Sequence, residues 1–313
     1  MNKIFIEVPT WLGDCVMATP AIENIVKAYP HVKMTIMGSY VSTAMFEAHP
    51  NVEKIIVDES RNAKSRLGWL YKTTKNMGHF DVAISFRRTL TSKLFILFMK
   101  ATRKANYRRT SKEVIHQVKR YNHFINSTFH LNNEADDLKI YFDTLAYDKP
   151  TLGINPGATY GSAKRWYPEK FAEVAVALSA QYNIVIFGGP GEVDIANDIE
   201  SELKKENIVN VVNLAGQTSI KVLCQKIGGL DLFITGDSGP MHVAAAFKVS
   251  TVAIFGPTND KETSQWHNPN SLIVKKEMAC APCMKRTCPL GHHECMKLID
   301  AKDVLNAVKE LTC

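Results

Sequence analysis

Two series of short apolar runs alternate with helix-length stretches along this chain, and that alternation constrains the fold more than any other feature. Parallel strands need a long crossover between them, so apolar runs spaced by helices imply parallel sheets covered on both faces. In the first series Lys3–Val8, Lys33–Met37, Lys54–Val57 and Asp81–Phe86 read as strands. Helices are expected over Met17–Tyr29, ended near Pro30, and over Ser42–Glu47, with a polar helical stretch before Asp81. Arg103 to Asp137 is basic and then polar, and its helices are less sharply marked. After Asp148-Lys149-Pro150 the series restarts, with strands at 151–154, 183–187, 209–212, 232–235 and 251–255. Helices then fall over Pro168–Ala180, the stretch ending at Lys205, and Ser219–Ile227. At 313 residues the chain is long for one domain. The expectation is α/β: two Rossmann-like doubly wound domains, 1–149 and 150–313, with a crevice between them.

Ligands of such sheets sit beyond the carboxyl ends of the strands. Function is therefore expected in the strand-end loops Thr10–Cys15, Gly157–Trp166, Gly188–Glu192, Gly236–His242 and Gly256–Asn259. The most telling one lies in Asp231–Phe247, where the apolar run Leu232–Thr235 meets Gly236 and then a helix start containing Pro240. Asp237 or Ser238 would cap that helix. Its first N–H groups and positive dipole end form a ready phosphate site, with His242 placed either to donate to an anion or to pack in the core.

Gly157–Trp166 adds glycines, hydroxyls and the adjacent cations Lys164 and Arg165, without the spacing of a Walker loop. Taken alone it reads equally as a basic surface loop ending at Trp166. Gly188-Gly189-Pro190-Gly191 reads as a plain turn, and Glu192 behind it as a ribose acceptor or a helix-start acid. Asp14 stands either as a general base near the crevice or as an N-cap for the helix near Met17. No Asp-x-Asp pair is present to hold a divalent metal on a nucleotide. A departing diphosphate would be met by Lys164 and helix starts, which points to metal-independent group transfer.

The net charge of +7 is unevenly spread: residues 61–120 hold 16 basic residues against Asp81 and Glu113. Such a stretch suits an anionic partner. No helix-turn-helix, zinc-finger or RNP signature supports nucleic acid, so an anionic membrane surface or phosphorylated lipid is the expected partner. The longest apolar run, Leu94–Met99, is far short of the roughly 20 residues of a membrane helix, and Met1–Pro9 is too weak for a signal peptide. The expected location is the cytoplasm. Near the end, Cys280, Cys283, Cys288 and Cys295 enclose His292 and His293. Their spacing reads as a structural zinc knot or as reduced, partly buried thiols.

Four motifs together resemble glycosyltransferase family 9, the ADP-heptose:lipopolysaccharide heptosyltransferases. They are Trp11–Pro20, Pro156–Trp166, Asn213–Gly216 and Gly236–His242, spanning nearly the whole chain. The Ala163-Lys164-Arg165-Trp166 form, Gly256-Pro257-Thr258 and the cysteine-rich tail look like the heptosyltransferase II branch, which adds the second heptose of the inner core. The resemblance implies a GT-B fold, an N-terminal acceptor-binding domain and a C-terminal donor-binding domain facing across a cleft, with inverting transfer and no metal. It implies Asp14 as the base on the acceptor hydroxyl, and Lys164 with Thr159 on the leaving diphosphate. Asp237 would take the heptose hydroxyls, Ser238, Gly239 and His242 the phosphates, and Glu192 the ribose. The donor would be ADP-heptose and the acceptor a Kdo- and heptose-bearing lipid A at the inner membrane face. A first- or later-heptose transferase, a non-catalytic binder of anionic lipid and a nucleotide-sugar epimerase are the competing readings.

Overall fold

A computed structural model describes residues 1–313 apart from Thr110, Ala158 and Cys313. It divides into two compact units, Met1–Tyr141 and Phe142–Cys313. The first runs β1 (Lys3–Glu7), α1 (Leu12–Ala28), β2 (Lys33–Gly38), α2 (Tyr40–Ala44), β3 (Val52–Val57), α3 (Arg66–Lys75), β4 (His79–Ser85), α4 (Leu90–Phe98), β5 (Lys100–Asn106) and α5 (Gln117–Phe129). Its five strands are parallel in the order β3-β2-β1-β4-β5. Phe5, Met37 and Ala83 pack under Leu70 of α3 and Phe95 and Ile96 of α4.

The second unit holds β6 (Thr151–Asn155), α6 (Pro168–Leu178), β7 (Asn183–Ile186), α7 (Val193–Lys205), β8 (Val211–Asn213), α8 (Ile220–Gly228), β9 (Leu232–Gly236) and α9 (Gly239–Ala246). It continues through β10 (Thr251–Ile254), α10 (Asp260–Thr263), β11 (Ser271–Val274), α11 (Glu294–Lys297) and α12 (Ala301–Thr312). Six parallel strands lie in the order β11-β10-β9-β6-β7-β8. Ile154, Ile186, Ile234 and Ile254 face Phe171, Ile199 and Val304 on one side, while Met241 of α9 meets Ala253 and Phe255 on the other. Both faces are covered, which explains why these strands read as unbroken apolar runs. In each sheet the direction of winding reverses next to the first strand, between β1 and β4 and between β6 and β9. Those reversals are where such sheets open to ligands.

Several expectations are corrected by local physics. α1 begins at Leu12, well before Met17, and Trp11 rather than Asp14 occupies its N-cap. The helix also runs through Pro20, whose missing N–H leaves the Val16 carbonyl without its helical donor. The Thr19 hydroxyl donates to that carbonyl at 2.7 Å and makes good the loss. The basic stretch after Arg103 continues a strand, β5, that begins at Lys100. It pairs on one side only, and an edge strand tolerates lysines and arginines that a central strand would exclude. β11 and α12 extend the second unit beyond Phe255.

The units divide ahead of the expected boundary between residues 149 and 150 because residues 142–149 pack on the second unit. Leu145 N donates to Gln225 O at 2.9 Å, and Lys226 Nζ lies 5.7 Å from the Tyr147 ring centroid. A Cβ added to Gly229 would stand 1.9 Å from the Leu145 carbonyl oxygen, which is backbone and cannot swing aside. Gly229→Ala is expected to lower the stability of the second unit by about 1–3 kcal/mol, as overpacking does. Denaturant unfolding followed through Trp166 fluorescence measures this, and an unchanged midpoint would refute the packing.

Candidate functional site

The parallel pairing of β6 with β9 sets Asn155 beside Thr235 and brings the two following loops to one place. Asn155 is 2% exposed, and its amide donates to Ser238 Oγ at 3.2 Å and to Thr235 Oγ1 at 3.4 Å. Ser238 occupies the N-cap position of α9, yet its side chain makes no capping bond, and neither it nor Asp237 has the capping role expected. Gly239 opens the helix with Pro240 beside it, and His242 is packed in at 3% exposure.

Asp237 instead receives a cation. Lys164, at the end of a single 3₁₀ turn over Ser162–Lys164, places Nζ 2.6 Å from Asp237 Oδ2 and 3.2 Å from the Asp237 carbonyl oxygen. Thr258, from the loop after β10, donates to the same Oδ2 at 2.6 Å. Three strand-end loops therefore converge on one carboxylate. The Lys164 ammonium also lies 4.8 Å from the Tyr160 ring centroid, and the Arg286 guanidinium lies 5.2 Å from the same ring. Trp166 does not end an exposed loop: it is 1% exposed, and its indole donates to Ile299 O at 3.0 Å. The loop is thus anchored in the core just beyond its cations.

Glu192 forms a second group. Its Oε2 accepts from Gly189 N at 2.8 Å, and Thr159 Oγ1 donates to Oε1 at 3.4 Å. A Cβ on Gly157 would fall 2.0 Å from Glu192 Cδ, so glycine there is what lets the carboxylate approach the loop. The helix-start role weighed for Glu192 is visible in this bonding. Thr159 stands with Glu192 rather than with Lys164.

In the first unit Asp14 lies in the first turn of α1, partly exposed, and Tyr121 OH donates to its Oδ1 at 3.3 Å. Tyr121, on α5, is buried; burial and then the charge of Asp14 push its phenol well above its ordinary pKa, so it remains a donor. Below it, at the end of β1, Glu7 is buried with Ser85, Ser92 and Arg87. Burial raises the Glu7 pKa against the opposing pull of Arg87. Arg87 reaches Val8 O at 2.9 Å and Asp58 at 3.1 Å, and links the ends of β1, β3 and β4. Sequence reasoning missed Tyr121, Asn155 and the Glu7–Arg87 pair, and placed Thr258 in the Gly256–Asn259 loop without seeing it as a partner of Asp237. Arg87, directly after a strand, and Thr258, in a strand-end loop, carried a local signal.

The four tail cysteines line one cavity of about 20 Å³ with Ala163, Pro257, His292 and His293. His293 is already engaged, with Nε2 2.9 Å from Ala163 O and Nδ1 3.1 Å from Tyr167 OH. Backbone N–H groups, that of His293 foremost, lower the Cys288 pKa. Burial and then the other three cysteines raise that of Cys295. As the side chains stand, no three His, Cys, Asp or Glu among the described residues are gathered as a metal-binding group. The segment is laced to the loops of Lys164 and Thr258 through Ala163 N to Arg286 O at 3.0 Å and Met284 N to Pro257 O at 2.8 Å.

The model of glycosyltransferase family 9 (heptosyltransferase) matches residues 71–294. The chain is 43% identical to lipooligosaccharide heptosyltransferase 2 of Campylobacter jejuni serotype O:2, covering 99% of this chain and 98% of that one. It is 25% identical to lipopolysaccharide heptosyltransferase 2 of Escherichia coli K12, over 99% and 98%. Among solved structures, E. coli ADP-heptose LPS heptosyltransferase II superimposes with a TM-score of 0.81 at 23% identity, over 99% and 98%. E. coli heptosyltransferase WaaC with ADP gives 0.75 at 15%, over 99% of each chain.

The Lys164–Asp237 pair is nearly buried, at 13% and 5% side-chain exposure, so removing one partner strands the other. Lys164→Met is expected to cost about 3 kcal/mol or more, and adding Asp237→Asn to recover much of it. A double-mutant cycle by denaturation measures the coupling; strictly additive losses would dissolve the pair.

Proposed function

The chain belongs to glycosyltransferase family 9, the heptosyltransferases, and from that premise we propose how it works and on what. It is a glycosyltransferase of GT-B fold. It moves L-glycero-D-manno-heptose from ADP-heptose to the inner core of lipooligosaccharide, adding the second heptose as heptosyltransferase II. The observation that carries this reading is Lys164 Nζ held 2.6 Å from Asp237 beside the start of α9. A cation, a sugar-binding carboxylate and a helix N-terminus share one edge of the second sheet, as a nucleoside diphosphate sugar requires.

In this reading the second unit takes the donor. Asp237 accepts from heptose hydroxyls, backbone N–H groups of Ser238 and Gly239 with His242 hold the phosphates, and Glu192 takes the ribose. Thr159 and Lys164 stand at the diphosphate. The first unit takes the acceptor. The Asp14 carboxylate removes the proton of the attacking hydroxyl as its oxygen bonds to the anomeric carbon from the face opposite the diphosphate. The bond from that carbon to the diphosphate oxygen breaks, its electron pair stays on ADP, and the anomeric configuration inverts. Lys164 and the α9 amides meet the growing charge, so the step is written without a metal.

The acceptor is a Kdo- and heptose-bearing lipid A, and the enzyme works at the cytoplasmic face of the membrane. No helix among the described residues is long and apolar enough to cross one. The basic first unit suits phosphorylated lipid rather than nucleic acid. A structural zinc on Cys280, Cys283, Cys288 and Cys295 would be a separate element: thiol chemistry suits it and the four line one cavity, and holding it would draw them closer than they stand.

Purified protein given ADP-heptose and truncated lipooligosaccharides is expected to add one heptose to the acceptor already bearing one, read by mass spectrometry of the lipid. Addition to the heptose-free acceptor instead would assign the first-heptose step. Asp14→Asn should lower turnover by about 10²-fold or more with ADP binding retained. Lys164→Ala should lower kcat by roughly 10²-fold. Full turnover in either variant removes that residue from the scheme. Elemental analysis of protein purified without added metal should find one zinc per chain, and its absence ends the zinc assignment.

A further inference from the structure

The first unit presents a second surface that the transfer chemistry does not use. α3 and α4 bury Leu70, Phe95 and Ile96 against the sheet, but their outer sides are also apolar. Leu67 and Tyr71 on α3 are 54% and 56% exposed, and Leu90 and Leu97 on α4 are 72% and 63% exposed. The spacing of four along α3 and seven along α4 puts each pair on one helical stripe. Tyr71 meets Phe98 edge-on at 6.0 Å between ring centroids, so the stripes join into one patch.

Cations of a single sign surround it. Lys64, Arg66, Lys72, Lys75, Lys93 and Lys100 are all exposed. Residues 61–100 hold nine basic residues and one acid, Asp81, whose carboxylate is occupied by the backbone N–H groups of Asn2 and Lys3. Neither α3 nor α4 carries an acidic residue to pair with its neighbours. A contiguous apolar patch on a soluble surface marks an interaction site. Apolar side chains ringed by exposed lysine and arginine match one surface in both respects, a layer of anionic headgroups over hydrocarbon.

We infer that the outer face of α3 and α4 docks on an anionic phospholipid bilayer, with Leu67, Tyr71, Leu90 and Leu97 at the headgroup–acyl boundary and the surrounding cations on headgroup phosphates. This rests on the reading of a lipid-anchored acceptor and names the surface by which the enzyme reaches it. Neither part suffices alone. Four partly exposed side chains give weak partitioning, while each cation near an anionic surface strengthens it roughly five-fold.

The test is cosedimentation of the whole protein with vesicles of phosphatidylcholine alone or mixed with phosphatidylglycerol. Alongside it, transfer is assayed on vesicle-embedded acceptor and on the same acceptor deacylated and soluble. Binding should be at least about tenfold stronger on the anionic vesicles and fall with added salt. Leu67→Ser with Leu97→Ser should weaken it by about tenfold, and Lys72→Glu with Lys93→Glu by about 25-fold or more. Both variants should lose transfer to the embedded acceptor and keep transfer to the soluble one, which also shows that they are folded. Equal binding to both vesicle types, or unchanged binding of either variant, overturns the inference. So does a wild-type dimer in sedimentation that Leu67→Ser with Leu97→Ser dissolves, since the face would then belong to a second copy. If no acceptor form is glycosylated while anionic vesicles still bind, the docking stands and the proposed transfer fails.

Discussion

The parallel register between β6 and β9 is the constraint on which the candidate site depends. Asn155 beside Thr235 fixes the ends of two strands whose loops would otherwise leave in unrelated directions. One loop brings Lys164 and the other Asp237, and their approach to 2.6 Å follows from that register. A nearly buried ammonium is costly unless paired. Asp237 therefore supplies, without ligand, the negative charge that a diphosphate would supply with it. Lys164 is held in place rather than searching rotamers, and on the proposed function the charge it meets would change while its position need not. Preorganisation of this kind is where electrostatic catalysis gains most.

The same logic separates what the sequence could disclose from what it could not. Strand-end loops were legible because apolar runs, glycines and helix starts are local signals, and each of the second unit's first five strands lies within a residue or two of its expected place. Thr258 was not legible as a partner of Asp237, since its role comes from β10 lying beside β9. Asn155 looked like the end of a strand, and Tyr121 like any aromatic on a helix; each has meaning only through a neighbour far away in the chain. Trp166 misled in the other direction. Beside Lys164 and Arg165 it suggested a surface loop, but its indole is buried against Ile299 and fixes the loop's far end.

Asp14 shows how a small shift in an element changes the chemistry. With α1 starting at Leu12, its carboxylate sits in the first helical turn and meets the positive end of the helix dipole while remaining partly exposed. Its orientation is set by the Tyr121 hydroxyl, a phenol that burial keeps from ionising. The Glu7–Arg87–Asp58 cluster nearby does a different job. It ties the ends of three strands together with charges, and the raised Glu7 pKa follows from its burial.

Charge is divided unevenly between the units. The second unit is close to neutral, and its Lys164 is embedded among the loops that converge on Asp237. The first unit spreads its excess over exposed lysines and arginines on α3, α4 and β5, where long flexible side chains bind poorly defined anions well and defined ones badly. A surface built like that is what the inferred docking on an array of headgroups calls for. On the proposed function, selection of the sugar hydroxyl would fall to the carboxyl ends of β1 and β4, where Asp14 stands, and attraction to the lipid could remain unspecific without loosening the chemistry.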